Sequence, residues 1–190
     1  VGWGEAAPVP GHTRESLEDV WDSLESAAVA AITNEHHLDV GIAGAALGQA
    51  IADAAARTAG VSLGEYLGAA GPPLASAAIG LGPDGSPDAA AIDEATAAGY
   101  QHAKLKISPE TTPAALQAST ADHESITFGL DANGSLGDMP PAYFKALDDL
   151  GFAYLEQPGP ERDLPWHVGL RELISTPTAL DESAGTMEDV

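Results

Sequence analysis

Lys106, Asp131, Glu156 and Asp181 stand at a constant interval of 25 residues, at the ends of the apolar runs HAKLKI, ITFGLD, FAYLE and TALD. One base and three carboxylates at one interval could transfer a proton beside a divalent cation. Three converging acids repel one another unless a cation holds them, and carboxylate oxygens are the hard donors that Mg2+ prefers. No His or Cys shares the ladder, which argues against zinc. Lys104 lies two residues before Lys106, so on a strand the two lysines share a face and Leu105 takes the other. Neighbouring ammonium groups are expected to depress each other's pKa, which suits a base working at neutral pH.

Each motif has a plainer reading. Lys104 and Lys106 also suit a solvated strand end. Asp131-Ala132-Asn133-Gly134 is also a turn sequence. Asp181-Glu182-Ser183 also suits a helix N-cap. Glu156, closing an apolar strand before Gln157-Pro158, is harder to assign to a surface. The shared interval favours one site over four unrelated turns.

An interval of 25 residues accommodates a strand, a helix and two short loops, and repetition of that unit builds a parallel sheet covered by helices. The strand ends then meet on one face, where barrel enzymes carry their chemistry. The pattern predicts strands at 74–82, 102–107, 126–131, 152–156 and 178–181, with helices at 87–98, 111–122, 140–150 and 163–174. Five such strands do not close an eight-stranded barrel, and the glycine-rich phosphate signature of an open doubly wound sheet is absent. The expected fold class is therefore α/β, part of a (β/α) barrel cut at both ends. Before it, residues 1–11 read as the tail of a strand and a turn. Helices are expected at 15–32, with Leu17, Val20, Trp21, Leu24 and Ala28 at helical spacing, and at 43–59. A short helical turn follows, and Gly71-Pro72-Pro73 marks a boundary. Two domains are expected, 1–73 and 74–190.

Twenty-nine acidic residues face seven basic ones, for a net charge of −22, and only three residues are lysines. Such a surface argues against nucleic acid and anionic membranes as partners. No apolar run is long enough to span a bilayer. The absence of cysteine excludes a disulfide framework and thiolate chemistry and fits a cytoplasmic protein. Acidic excess also suits a high-salt source, where screening relieves self-repulsion; stability unchanged by molar salt would count against that. His102, two residues before Lys104, reads as a packing residue, and His36-His37 as a solvated loop. His12, His123 and His167 carry no motif. Trp3, Trp21 and Trp166 are expected to pack.

Taken together, HAKLKI, GLDANGSL, YLEQP and ALDES resemble the enolase superfamily in its muconate-lactonizing-enzyme subgroup, nearest the o-succinylbenzoate synthases and the N-succinylamino-acid racemases. GWGE and AALGQAIADAAARTAGVSLGEYLGA are similar to the capping domain of that family, an α+β unit before the barrel. The resemblance implies that Asp131, Glu156 and Asp181 bind Mg2+, with Mn2+ as the other candidate ion. It makes Lys106 the acid/base lysine and Lys104 its tuning and positioning neighbour, with Asn133 and Glu182 behind the ligands at most. The implied chemistry is removal of a proton α to a carboxylate, with the metal stabilising the enediolate. The substrate is then a small anionic carboxylate. Loss of water completes a synthase reaction in menaquinone biosynthesis; reprotonation on the other face completes a racemase reaction. The family's further lysine on a sixth strand falls beyond Val190, and EQPGP replaces its more usual continuation. An inactive barrel fragment that only binds metal, and a module holding a cation on its acidic surface, stay open as readings. So does assembly into a homo-oligomer.

Overall fold

The structure is a computed structural model. It describes all residues except 12, 34–40, 70, 72–73 and 185–190, and the side chains of 28–33 are likewise outside the description. His12, His36 and His37 therefore lie outside the described residues. The chain divides into two compact units, Val1–Pro72 and Pro73–Val190.

The first unit holds α1 (Leu17–Thr33), α2 (Ile42–Ala59) and the single turn α3 (Leu63–Tyr66). The Glu15 carboxylate accepts the backbone N–H of Ile42, so the start of α2 is capped from a distant residue. Gly60 ends α2 in the left-handed conformation. Residues 1–5 form no strand; they run along α2, where Trp3 N–H donates to Asp53 and Glu5 N–H to the Gln49 side chain. The strand expected there is thus a segment without regular structure, held against a helix. Of the apolar stripe on α1, Val20 is buried, while Leu17 and Trp21 are exposed. Trp3 and Trp21 do not pack as expected. Trp3 is exposed, and Trp21 is an exposed residue whose indole N–H donates to Glu25 one turn on.

The second unit alternates β1 (Ser76–Ile79), α4 (Ala89–Ala97), β2 (His102–Lys106), α5 (Pro113–Thr120), β3 (Thr127–Asp131), α6 (Pro141–Asp148), β4 (Leu155–Glu156), α7 (Leu164–Leu173) and β5 (Thr178–Ala179). Side chains of Asp88, Thr112 and Asp163 cap α4, α5 and α7, and Pro opens α5, α6 and α7 near the first helical position. The five strands form one parallel sheet in the order β1-β2-β3-β4-β5. Sequential order without reversal is that of a barrel wall; a doubly wound sheet reverses at a switch point.

β1, β4 and β5 are shorter than the sequence pattern predicts. The ladder bonds nonetheless begin earlier, with Ala153 N–H to the Phe128 carbonyl at 2.9 Å and Leu130 N–H to the Tyr154 carbonyl at 3.0 Å. The strand expected at 152–156 is therefore confined to Leu155–Glu156, with residues 153 and 154 tied to β3 by these two backbone bonds.

The sheet separates its two sets of side chains. Ala103, Leu105, Ile107, Phe128, Leu130, Ala132 and Leu155 join Ile92, Leu116, Phe144, Leu147 and Leu170 from the helices in one buried cluster. Burying each large aliphatic side chain there contributes about 1.5–3 kcal/mol. The alternate positions, Lys104, Lys106, Asp131 and Glu156, fall on the other face.

Candidate active site

Register explains how the interval becomes a site. Lys106 pairs with Asp131, and Asp131 pairs with Glu156, so these three form one level rung at the C-terminal ends of β2, β3 and β4. Lys104 pairs with Gly129 one rung below. From there its ammonium reaches up between the two acids, 2.6 Å from Glu156 Oε1 and 3.2 Å from Asp131 Oδ2. Lys106 Nζ lies 3.8 Å from the same Asp131 oxygen. Asp131 is buried and Glu156 half-buried.

This geometry revises the expectation for the lysine pair. Partial burial works against the Lys104 charge, but its hydrogen bonds to Glu156 and Asp131 outweigh burial and hold its pKa above the ordinary lysine value. Opposite charges at contact distance dominate over the neighbouring lysine, so Lys104 is held as an ammonium.

Asp181 behaves differently. Glu156 pairs with Ala179, so Asp181 lies two residues beyond the level of the rung, exposed in the turn after β5. Among the described residues no three His, Asp or Glu side chains stand close enough together to hold a metal. The structure brings Asp131 and Glu156 together and leaves Asp181 out of that cluster. The donor chemistry still fits a divalent cation at the first two acids: both offer hard oxygens on one rung, and the Lys104 ammonium already stands as a cation between them.

The loops after the strands are cross-braced. Asn133, at φ +42°, donates its side-chain N–H to Glu182 at 3.0 Å, while its backbone N–H donates to Asp131 Oδ1. The turn reading of Asp-Ala-Asn-Gly therefore describes these residues, with the Asp131 carboxylate accepting a turn N–H. Within EQPGP, a Cβ at Gly159 would collide with the Trp166 ring. Trp166 packs as expected, edge-on to Phe144, with its indole N–H donating to the Gly137 carbonyl.

Sequence reasoning assigned no role to Tyr154 or Gln157. The Tyr154 ring lies across Gly129, where any side chain would collide with it. Burial, with the Glu156 charge beside it, raises the Tyr154 pKa. The signal for Gln157 was a polar residue where the two preceding rungs carry Ile107 and Ala132, both buried. His102 is half-buried on the Lys104 side of β2. His123 contacts Thr96 and Asp93 instead, and His167 approaches the Pro160 carbonyl.

A sheet of successive parallel strands with a lysine–diacid rung at its C-terminal edge can be compared with known proteins. The model of the enolase C-terminal domain-like family matches residues 88–190, more than half of the chain. The chain belongs to the enolase superfamily. It is 30% identical to an o-succinylbenzoate synthase of Geobacillus stearothermophilus over 99% of this chain and 54% of that one. An N-succinylamino acid racemase of Thermus thermophilus is 39% identical over 45% of this chain and 23% of its own. Among solved structures, a probable mandelate racemase from Alicyclobacillus acidocaldarius superposes with a TM-score of 0.75 at 25% identity, covering 96% of this chain and 54% of the other. The chain spans about half the length of the full-length synthase it matches. No helix among the described residues is long and apolar enough to cross a membrane.

Proposed function

We propose that this chain carries the metal-and-base half of an o-succinylbenzoate synthase-type enzyme, a carbon–oxygen lyase of menaquinone biosynthesis. Its substrate would be a small anionic carboxylate. The observation that supports it most is the level rung of Lys106, Asp131 and Glu156 with Lys104 bridging the two acids.

In this reading Asp131 and Glu156, joined by Asp181, would hold Mg2+, which would supply positive charge to stabilise the negative charge that proton removal develops on the substrate carboxylate. Lys106 removes the proton α to that carboxylate. It is one rung nearer the strand end than Lys104 and touches only Asp131 among the described acids, at 3.8 Å. Lys104 is held charged by Asp131 and Glu156, so it orients and balances negative charge and leaves proton abstraction to Lys106. Tyr154 walls the rung below.

The test is turnover of the cyclohexadiene carboxylate precursor of o-succinylbenzoate by the protein carrying this chain, with Mg2+, against its Lys106→Ala variant. Product from the parent and a loss of about 10²- to 10⁴-fold in the variant support the reading. No turnover, or an unaffected variant, refutes it.

The stretch of 39% identity to an N-succinylamino acid racemase favours a second reading, racemisation. Exchange of the α-hydrogen of N-succinylamino acids with solvent deuterium, without water loss, would select it. Mn2+ binding with neither reaction would leave a metal-binding barrel fragment.

A further inference from the structure

Gln157 is fully buried, at 0% exposure, and paired at both ends of its amide. Oε1 accepts the backbone N–H of Asp181 at 3.0 Å and of Ser183 at 3.2 Å. Nε2 donates to the Gly159 carbonyl at 3.1 Å and to the Ser183 hydroxyl at 2.7 Å. The same hydroxyl accepts the backbone N–H of Arg162 at 3.1 Å. The Gln157 backbone sits at φ +37°, a left-handed conformation that costs a non-glycine residue free energy and clusters at functional sites. A buried, strained and fully hydrogen-bonded amide thus ties the residue after Glu156 to the backbone of Asp181. Those bonds fix the backbone on both sides of Glu182 and leave the Asp181 carboxylate exposed at the strand-end face.

We infer that Gln157 is the positioning residue for Asp181, fixing the 181–183 backbone to the end of β4 so that the Asp181 carboxylate can close on the cation held by Asp131 and Glu156. The inference rests on the metal site proposed above. It separates the acids into two that the sheet register places directly and one that a side-chain amide places. A purely structural Gln157 would stabilise the loop equally whether or not residue 181 is an acid. A positioning Gln157 acts on the metal only through Asp181.

That difference is measurable with Mn2+ alone as probe, its free concentration read by electron paramagnetic resonance. The proteins are wild type, Gln157→Leu, Asp181→Asn and the double variant, with thermal melting recorded for each. Gln157→Leu is expected to weaken Mn2+ binding by about 10- to 100-fold, the usual size for a partner that orients a ligand. In the Asp181→Asn background it is expected to cost no more than about twofold further, because both changes remove the same ligand. Wild-type affinity in Gln157→Leu, or the same loss in both backgrounds, overturns the inference while leaving the metal site standing. Wild-type affinity in Asp181→Asn overturns the role of Asp181 as a ligand and the inference with it. Should Gln157→Leu fail to fold, Ser183→Ala removes the anchor of the Gln157 amide and runs the same cycle. Loss confined to chains that retain Asp181 supports the inference, and equal loss with and without it, or none, refutes it.

Discussion

The two faces of the sheet are made from alternate residues of the same strands and have opposite chemistry. Along β2, Ala103, Leu105 and Ile107 enter the buried cluster beneath the helices, while Lys104 and Lys106 reach the carboxylates on the other face. The apolar face gains free energy from every contact it makes. The charged face holds two lysines and two acids close together at the cost of desolvating them, and recovers part of it by pairing Lys104 with both acids. One face fixes where the strands lie, and the other uses that placement.

Changes to adjacent residues on opposite faces should therefore have opposite consequences. The largest expected effect is that of Lys106→Ala on the turnover proposed for the parent protein, about 10²- to 10⁴-fold, with the melting temperature little changed because the Lys106 side chain is 41% exposed. Leu105→Ala, one residue away and 0% exposed, should do the reverse. It should cost about 2–5 kcal/mol of stability by leaving a cavity, read by denaturant unfolding, while Mn2+ affinity of the folded fraction stays at the wild-type value. If Leu105→Ala changes affinity as much as stability, the two faces are not separable.

A smaller effect of distinctive sign is expected at Lys104. Its ammonium stands between Asp131 and Glu156, so it competes with any cation for them. Lys104→Met should tighten Mn2+ binding by about fivefold, the size of a partly screened charge term of about 1 kcal/mol, and should lower stability without metal. Weaker Mn2+ binding would mean that Lys104 supports the metal. The smallest effect lies away from the site. Asp148 accepts the Thr176 hydroxyl and the backbone N–H groups of Ser175 and Thr176, and these bonds hold its pKa below the ordinary aspartate value. A lowered folded pKa adds stability above the ordinary value and loses it as pH falls through the lowered one. Asp148→Asn should flatten that part of the acid-unfolding curve slightly and leave Mn2+ binding unaltered.

The interval of 25 was legible because it is the strand register itself. Lys106, Asp131 and Glu156 are paired partners, so counting along the sequence located one rung of a sheet. At β5 the register slips by two residues, and counting could not reveal it, since Asp181 keeps the sequence interval and loses the spatial one. A slip of two preserves the face on which side chains fall but moves the acid along the strand direction by roughly 6–7 Å. The lysine pair was legible as a shared face, but its electrostatics depended on which charges lay nearest across β3 and β4. Gln157 stayed hidden because its bonds join residues more than twenty positions apart. Trp3 and Trp21 show the opposite error, apolar size taken as a sign of burial in a unit whose described core is largely small alanines on α2.

The proposed cation site on the Asp131–Glu156 rung is tested most directly by the Mn2+ affinity of the protein beside its Glu156→Gln variant. The account predicts saturable binding in the parent and a loss of tenfold or more in the variant, a ligand mattering at least as much as the partners that orient it, with the melting temperature of the metal-free protein little lowered. Equal affinities in the two proteins would contradict it.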